Sequence, residues 1–155
     1  MEKIGMGNNL DLPTLIKGGI AFDDRGSLSF VNSFDLRQYR RCYTVKNHTE
    51  GFIRAWHGHL KESKALMVIT GTALVAAVEM TDTKKPDKDK ELHRFVLSAA
   101  SPSILVVPAG YVNGFKTLTD DAVLLIFSST TLEDSQGDDY RFPYDYWNPW
   151  HIEPR

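Results

Sequence analysis

The sequence predicts an all-β chain folded as an antiparallel sandwich or jelly roll. About nine short strand-like segments recur at roughly ten-residue spacing, separated by Gly, Asp, Asn and Pro turn signals. A 3.6-residue apolar period is nearly absent, so long amphipathic helices are not expected. Several segments alternate apolar and polar residues, the period of a strand with one buried face.

Residues 1–12 read as a loose opening, and 1–22 as a lead-in segment holding short apolar pieces at Leu15, Ile16, Ile20 and Phe22. Asp23-Asp24-Arg25-Gly26 is turn chemistry, with Gly26 free to take a positive φ. Leu28 and Phe30 mark a strand, and residues 35–39 are expected to form one helical turn. Residues 42–45 read as a strand turned by 47–51, followed by strands at 52–57, 65–70 and 74–80. Gly71-Thr72 marks a tight turn between the last two. Residues 81–91 are strongly charged and carry Pro86, as in a solvated loop. Strands are expected at 92–97, 104–107, 112–118 and 122–127, with Thr119-Asp120-Asp121 as a hairpin turn. The tail, 138–155, gathers Tyr140, Phe142, Tyr144, Tyr146, Trp147 and Trp150. So many aromatic rings are expected to lie on the body or on a partner subunit.

The 155 residues suit one domain. The net charge of -2 gives no basic field for nucleic acid. No apolar stretch approaches the roughly 18 residues of a membrane span. The first residues lack the apolar core of a signal peptide. Cys42 is the sole cysteine, which suits a reducing compartment, so the expected setting is cytoplasmic.

The chemistry concentrates in Arg54-Ala55-Trp56-His57-Gly58-His59, with Lys64 five residues on and an apolar run ending at Gly71. In a strand, His57 and His59 point to one face. Gly51, His57, His59 and Gly71 reproduce a spacing that resembles the first half of the cupin metal motif. Pro108-Ala109-Gly110-Tyr111-Val112-Asn113 resembles its second half. Lys64 stands where the motif has its glutamate, and Asn113 where it has its last histidine. An ammonium repels a divalent ion, so no metal is expected. The resemblance implies a cupin barrel, a double-stranded β-helix of the jelly-roll class.

Without a metal, this cluster suits proton transfer. A neutral imidazole takes a carbon-bound proton made acidic by a neighbouring ketone, and cations or amides steady the enolate oxygen. From about residue 24 to residue 127 the chain resembles the metal-free cupins that act on nucleotide-linked 4-keto-6-deoxy sugars. The dTDP-4-dehydrorhamnose 3,5-epimerases are the best known of these. The resemblance rests on Asp24-Arg25-Gly26, Asn47-His48-Thr49, Arg54-Ala55-Trp56-His57, Lys64 with the run to Gly71, and Pro108 to Phe115.

The resemblance implies a cofactor-free isomerase acting on a nucleotide-linked sugar, with a homodimer as the expected assembly. It implies His57 as the base, with Lys64 and Asn113 at the enolate oxygen. It also implies Arg25, Asn47 and Arg54 as contacts to the nucleotide sugar. Arg54 shares a wall with His57 only if a bend or bulge lies between them. Tyr111 and Tyr43 are candidates for a cavity hydroxyl, whereas Trp56 reads as core. Leu132 falls where the family carries the tyrosine that reprotonates the opposite sugar face. The late aspartate that partners the base is expected to be missing. Arg-x-x-His-x-His equally resembles the sugar 3,4-ketoisomerases, in which His57 and His59 would both carry protons. A non-catalytic sugar-nucleotide binding module is the remaining alternative.

Overall fold

The computed structural model describes residues 10–155. Its strands are β1 (Thr14–Lys17), β2 (Gly19–Asp23), β3 (Gly26–Phe30), β4 (Arg41–Lys46), β5 (Ile53–His59), β6 (Lys64–Thr70), β7 (Thr72–Glu79), β8 (Leu92–Ser98), β9 (Ser103–Val107), β10 (Tyr111–Thr117) and β11 (Val123–Ser128). A short helix α1 (Leu132–Ser135) and a strand β12 (Tyr140–Arg141) follow. One sheet has the order β1-β9-β6-β11-β4 and the other β12-β5-β10-β7-β8, while β2 and β3 form a separate hairpin. Every pairing within them is antiparallel. The expected all-β jelly roll is the fold observed.

The alternation of β7 shows how the layers form. Ala73, Val75 and Ala77 point inward and pack with Leu66, Leu97, Leu105 and Leu124 between the sheets. Leu74, Ala76 and Val78 point outward, yet they too are fully buried. Phe142, Trp147 and Trp150 of the tail cover them, together with Trp56. Trp56 Nε1 donates to the carbonyls of Tyr144 at 3.0 Å and Trp147 at 3.2 Å, anchoring the tail to β5. The aromatic tail is therefore a cover for the barrel. Val31, Phe34 and Tyr39 pack over the outer face of the other sheet, with Phe34 and Tyr39 against Phe127 of β11.

Several local expectations change. The part of the lead-in within the described residues forms β1 and most of β2, and β1 pairs with β9. Residues 1–9 lie outside the described residues. Residues 35–39 form no helix: a single turn at Arg37 and Gln38 is closed by the Tyr39 N–H donating to the Leu36 carbonyl at 3.0 Å, and Asp35 accepts from the backbone N–H and guanidinium of Arg37. Thr119-Asp120-Asp121 is not a hairpin turn, because β10 and β11 belong to different sheets. Gly71 likewise carries the chain between sheets, from β6 to β7, at φ 71°. The two crossings touch: a Cβ on Gly71 would lie 2.3 Å from Thr119 Oγ1.

Candidate active site

On β5, alternation sends Trp56 outward to the tail and His57 and His59 inward. Pairing with β10 places Asn113 opposite His57, but Phe115 opposite Arg54. A step of three residues on β5 thus matches two on β10, which is a β-bulge. The bulge turns Arg54 to the same side as His57. Gly114 makes room for it, since a Cβ there would lie 2.4 Å from Ala55 Cβ. The Ala55–Trp56 peptide in this stretch is cis.

Arg54, His57 and His59 line a cavity of about 560 Å³ between the sheets. Asn113 and Phe115 of β10 and Arg141 of β12 complete this wall. The other sheet supplies Arg41, Tyr43 and Val45 from β4, Lys64 from β6 and Ile126 from β11. The buried Glu62, residues 135–137 and Asp139 complete the lining.

His57 is held to about 4, below its ordinary 6.5. Burial is the main cause, and the cations of Lys64 and Arg141 add to it. The Asp139 carboxylate pulls the other way. The ring is therefore neutral near pH 7 and able to accept a proton. Asn113 Nδ2 lies 3.5 Å from the His57 carbonyl.

His59 is buried and tied back from the cavity at one nitrogen. Its Nδ1 lies 2.6 Å from the Asp138 carbonyl and 3.2 Å from Glu62 Oε2. A carbonyl only accepts, so Nδ1 carries the hydrogen. Nε2 is buried with no hydrogen-bond partner among the described residues. Glu62, also buried, accepts from Arg41 Nη2 at 3.0 Å and from the Ser128 hydroxyl. Among the described residues, no three histidine, cysteine or acidic side chains converge as a metal ion requires.

Of the residues expected at the site, His57, His59, Lys64, Arg54 and Asn113 meet in the cavity. Asn47, Arg25 and Tyr111 do not line it. Asn47 is buried behind Arg54, accepting from its Nε at 2.7 Å and donating to the Phe52 carbonyl and to Thr117 Oγ1. Arg25 sits on the β2–β3 hairpin, exposed and held by Asp23. Tyr111 packs into the core, edge-on to His93. Its hydroxyl pKa is raised, first by burial and then by Glu79 and Glu91. Among the described residues no aspartate is hydrogen-bonded to the His57 ring: Asp139 lines the same cavity, but its carboxylate accepts from Arg141 Nε at 2.9 Å. Leu132, at the family's tyrosine position, is exposed.

Arg41, Glu62 and Arg141 were not foreseen at the site. Arg41 had a legible signal, because Arg41, Tyr43 and Val45 alternate on one strand and all line the cavity. Glu62 and Arg141 had none, since their placement depends on the loop after β5 and on the tail.

The family model described as dTDP-4-dehydrorhamnose 3,5-epimerase matches residues 14–141. A "probable low-salt glycan biosynthesis epimerase" of Haloferax volcanii is 28% identical over 127 residues, covering 79% of this chain and 81% of the relative. A spore coat polysaccharide biosynthesis protein of Bacillus subtilis is 25% identical over 127 residues, covering 79% and 82%.

Among solved structures, the dTDP-4-dehydrorhamnose 3,5-epimerase of Bacillus anthracis, with TDP and PPi bound, superposes with a TM-score of 0.73. It is 20% identical and covers 92% of this chain and 86% of its own. The 3,4-ketoisomerase QdtA of Thermoanaerobacterium thermosaccharolyticum, in complex with TDP, reaches 0.64 at 22% identity, covering 88% and 93%. These likenesses show the same fold. The family match spans the whole barrel, from β1 through the β12 strand that pairs with His57, and places this chain in the dTDP-4-dehydrorhamnose 3,5-epimerase family.

Proposed function

We propose that this chain is a cofactor-free epimerase of a nucleotide-linked 4-keto-6-deoxy sugar. The observation that carries the reading is His57, kept neutral inside a cavity it shares with Lys64 and Asn113. In the proposed step, the His57 lone pair takes the proton from a carbon beside the ketone. The C–H electrons move onto the carbonyl oxygen, and the Lys64 ammonium and Asn113 amide steady that oxyanion. Arg41, Arg54 and Arg141 supply the planar donors that suit a diphosphate. Tyr43 stands on the other sheet from His57 and offers the hydroxyl that would return a proton to the opposite face. Family membership supports the substrate class.

A second reading, a 3,4-ketoisomerase, is favoured by His59. Its bare Nε2 lies two residues from His57, and Leu132 offers no acid. In that reading a proton leaves C3 and returns to C4 on one face, while the C3 hydroxyl proton passes to O4, so that the ketone moves to C3.

The proposal extends to a single-domain homodimer in the cytoplasm. The exposed Phe22 and Leu28 of the β2–β3 hairpin support the dimer. The lone Cys42 supports the compartment.

The test is product analysis by NMR after incubation with dTDP-4-keto-6-deoxyglucose in D2O. Inversion at C3 or C5 with deuterium incorporated supports the epimerase. Migration of the ketone supports the second reading. Tight binding of the sugar nucleotide with neither change would leave a binding module.

A further inference from the structure

We propose that Glu62 is a positioning residue for His59: with the Asp138 carbonyl it keeps Nδ1 protonated, and it balances the charge the ring gains when Nε2 takes up a proton. The inference rests on the second reading above, in which His59 carries a proton.

The arrangement is built rather than incidental. Glu62 Oε1 meets the Ser128 hydroxyl, Thr130 Oγ1 at 3.3 Å and Arg41 Nη2 at 3.0 Å. Oε2 lies 3.2 Å from His59 Nδ1. The Glu62 backbone is itself pinned, its N–H donating to Asp138 Oδ2 at 3.0 Å. Thus Asp138 holds both residues, the His59 ring through its carbonyl and the Glu62 backbone through its carboxylate.

A buried carboxylate is costly to desolvate unless cations face it. A glutamine would accept the same hydroxyl hydrogen bonds at lower cost. The charge makes sense if it serves two cations, Arg41 permanently and the His59 imidazolium transiently. In the step, the Nε2 lone pair takes the proton from the sugar carbon beside the ketone, and the C–H electrons pass to the carbonyl oxygen. The ring becomes an imidazolium facing Glu62. The C3 hydroxyl proton passes to the O4 oxyanion, and as the electrons left on O3 form the new carbonyl, the enolate double bond takes the ring's proton at C4. The other charged or titratable groups around His59 are His57 on its own strand, Tyr111 opposite it on β10, Lys64 of β6, Arg41 and Tyr43 of β4, and Asp138, Asp139 and Arg141 of the tail.

The test compares Glu62→Gln, which keeps the shape and removes the charge, with Glu62→Asp, which keeps the charge and shortens the chain. Rates of proton transfer are followed by NMR on dTDP-4-keto-6-deoxyglucose. The expected result is that kcat falls about tenfold or more in Glu62→Gln with KM nearly unchanged. Glu62→Asp is expected to retain the higher kcat. Equal kcat in wild type and Glu62→Gln, or Glu62→Asp no better than Glu62→Gln, would overturn the proposal.

A second measurement needs no variant and holds even if Glu62→Gln fails to fold. In 15N-histidine-labelled wild-type protein, the neutral His59 ring is expected to show a protonated Nδ1 and a bare Nε2. The opposite tautomer would overturn the inference. Full activity in His59→Asn would overturn it as well. A wild-type protein inert toward the keto sugar would instead sink the proposed function, leaving the tautomer to judge the arrangement itself.

Discussion

The backbone carbonyl of Asp138 accepts the Nδ1 hydrogen of His59 at 2.6 Å. The carboxylate of the same residue accepts the backbone N–H groups of Leu60 at 2.7 Å and of Lys61 and Glu62 at 3.0 Å. One residue of the tail therefore holds a cavity imidazole and the loop that follows it. Replacing Asp138 with Ala leaves three backbone amides, that of Glu62 buried, without their acceptor. The expected cost is about 2–3 kcal/mol of stability, read from urea unfolding. An unchanged midpoint would mean that water replaces the carboxylate fully.

Gly114 sets the bulge that brings Arg54 beside His57. The Gly114→Ala methyl would meet Ala55 Cβ at 2.4 Å and the Arg54 carbonyl at 3.0 Å. Overpacking of this kind costs about 1–3 kcal/mol. The variant is also expected to bind dTDP more weakly, because Arg54 moves with the bulge. Thermal unfolding and calorimetric titration check the two effects.

Asn47 acts on the cavity through Arg54, whose Nε it holds at 2.7 Å. Asn47→Ala frees the guanidinium to wander. Affinity for dTDP is expected to fall about tenfold, equivalent to about 1.4 kcal/mol. Calorimetric titration reads this directly, and an unchanged Kd would show that Asn47 does not serve binding.

The depressed pKa of His57 predicts the acid side of the pH profile. With the folded ring at about 4 against an ordinary 6.5, kcat/KM should hold down to about pH 4. Between those two values the unfolded chain binds a proton that the folded chain does not. His57 therefore lowers stability progressively as pH drops from 6.5 to about 4. Lys64→Met removes a cation that holds the ring down, so the acid limb should move to higher pH. The same change should lower kcat about a hundredfold if Lys64 steadies the oxyanion. A limb that stays in place would contradict the electrostatic link between the two residues.

Much of the barrel was legible because its strands are short, regularly spaced and bounded by turn residues. The inward side chains of β5 were legible for a simpler reason: His57 and His59 differ by the strand period. Even the bulge could be anticipated, since Arg54 otherwise faces away from His57. What remained hidden depends on long-range contacts. Nothing local shows that Thr119-Asp120-Asp121 crosses between sheets, because hairpin and crossover turns use the same residues. Asn47 carries the same polar amide whether it binds a ligand or holds Arg54. Asp138 and Asp139 become site residues only because Trp56, Trp147 and Trp150 dock the tail on β5. Tyr111 alternates with Asn113, yet the interior is packed at its end of the strand.

The most direct test of the account is solvent exchange at the sugar carbons beside the ketone. Wild-type protein and His57→Asn would each be incubated with dTDP-4-keto-6-deoxyglucose in D2O, with dTDP affinity measured alongside. The account predicts deuterium at C3 or C5 with wild type. It predicts a loss of at least about a hundredfold in the variant, with dTDP binding retained. Exchange that survives undiminished in His57→Asn would contradict the account.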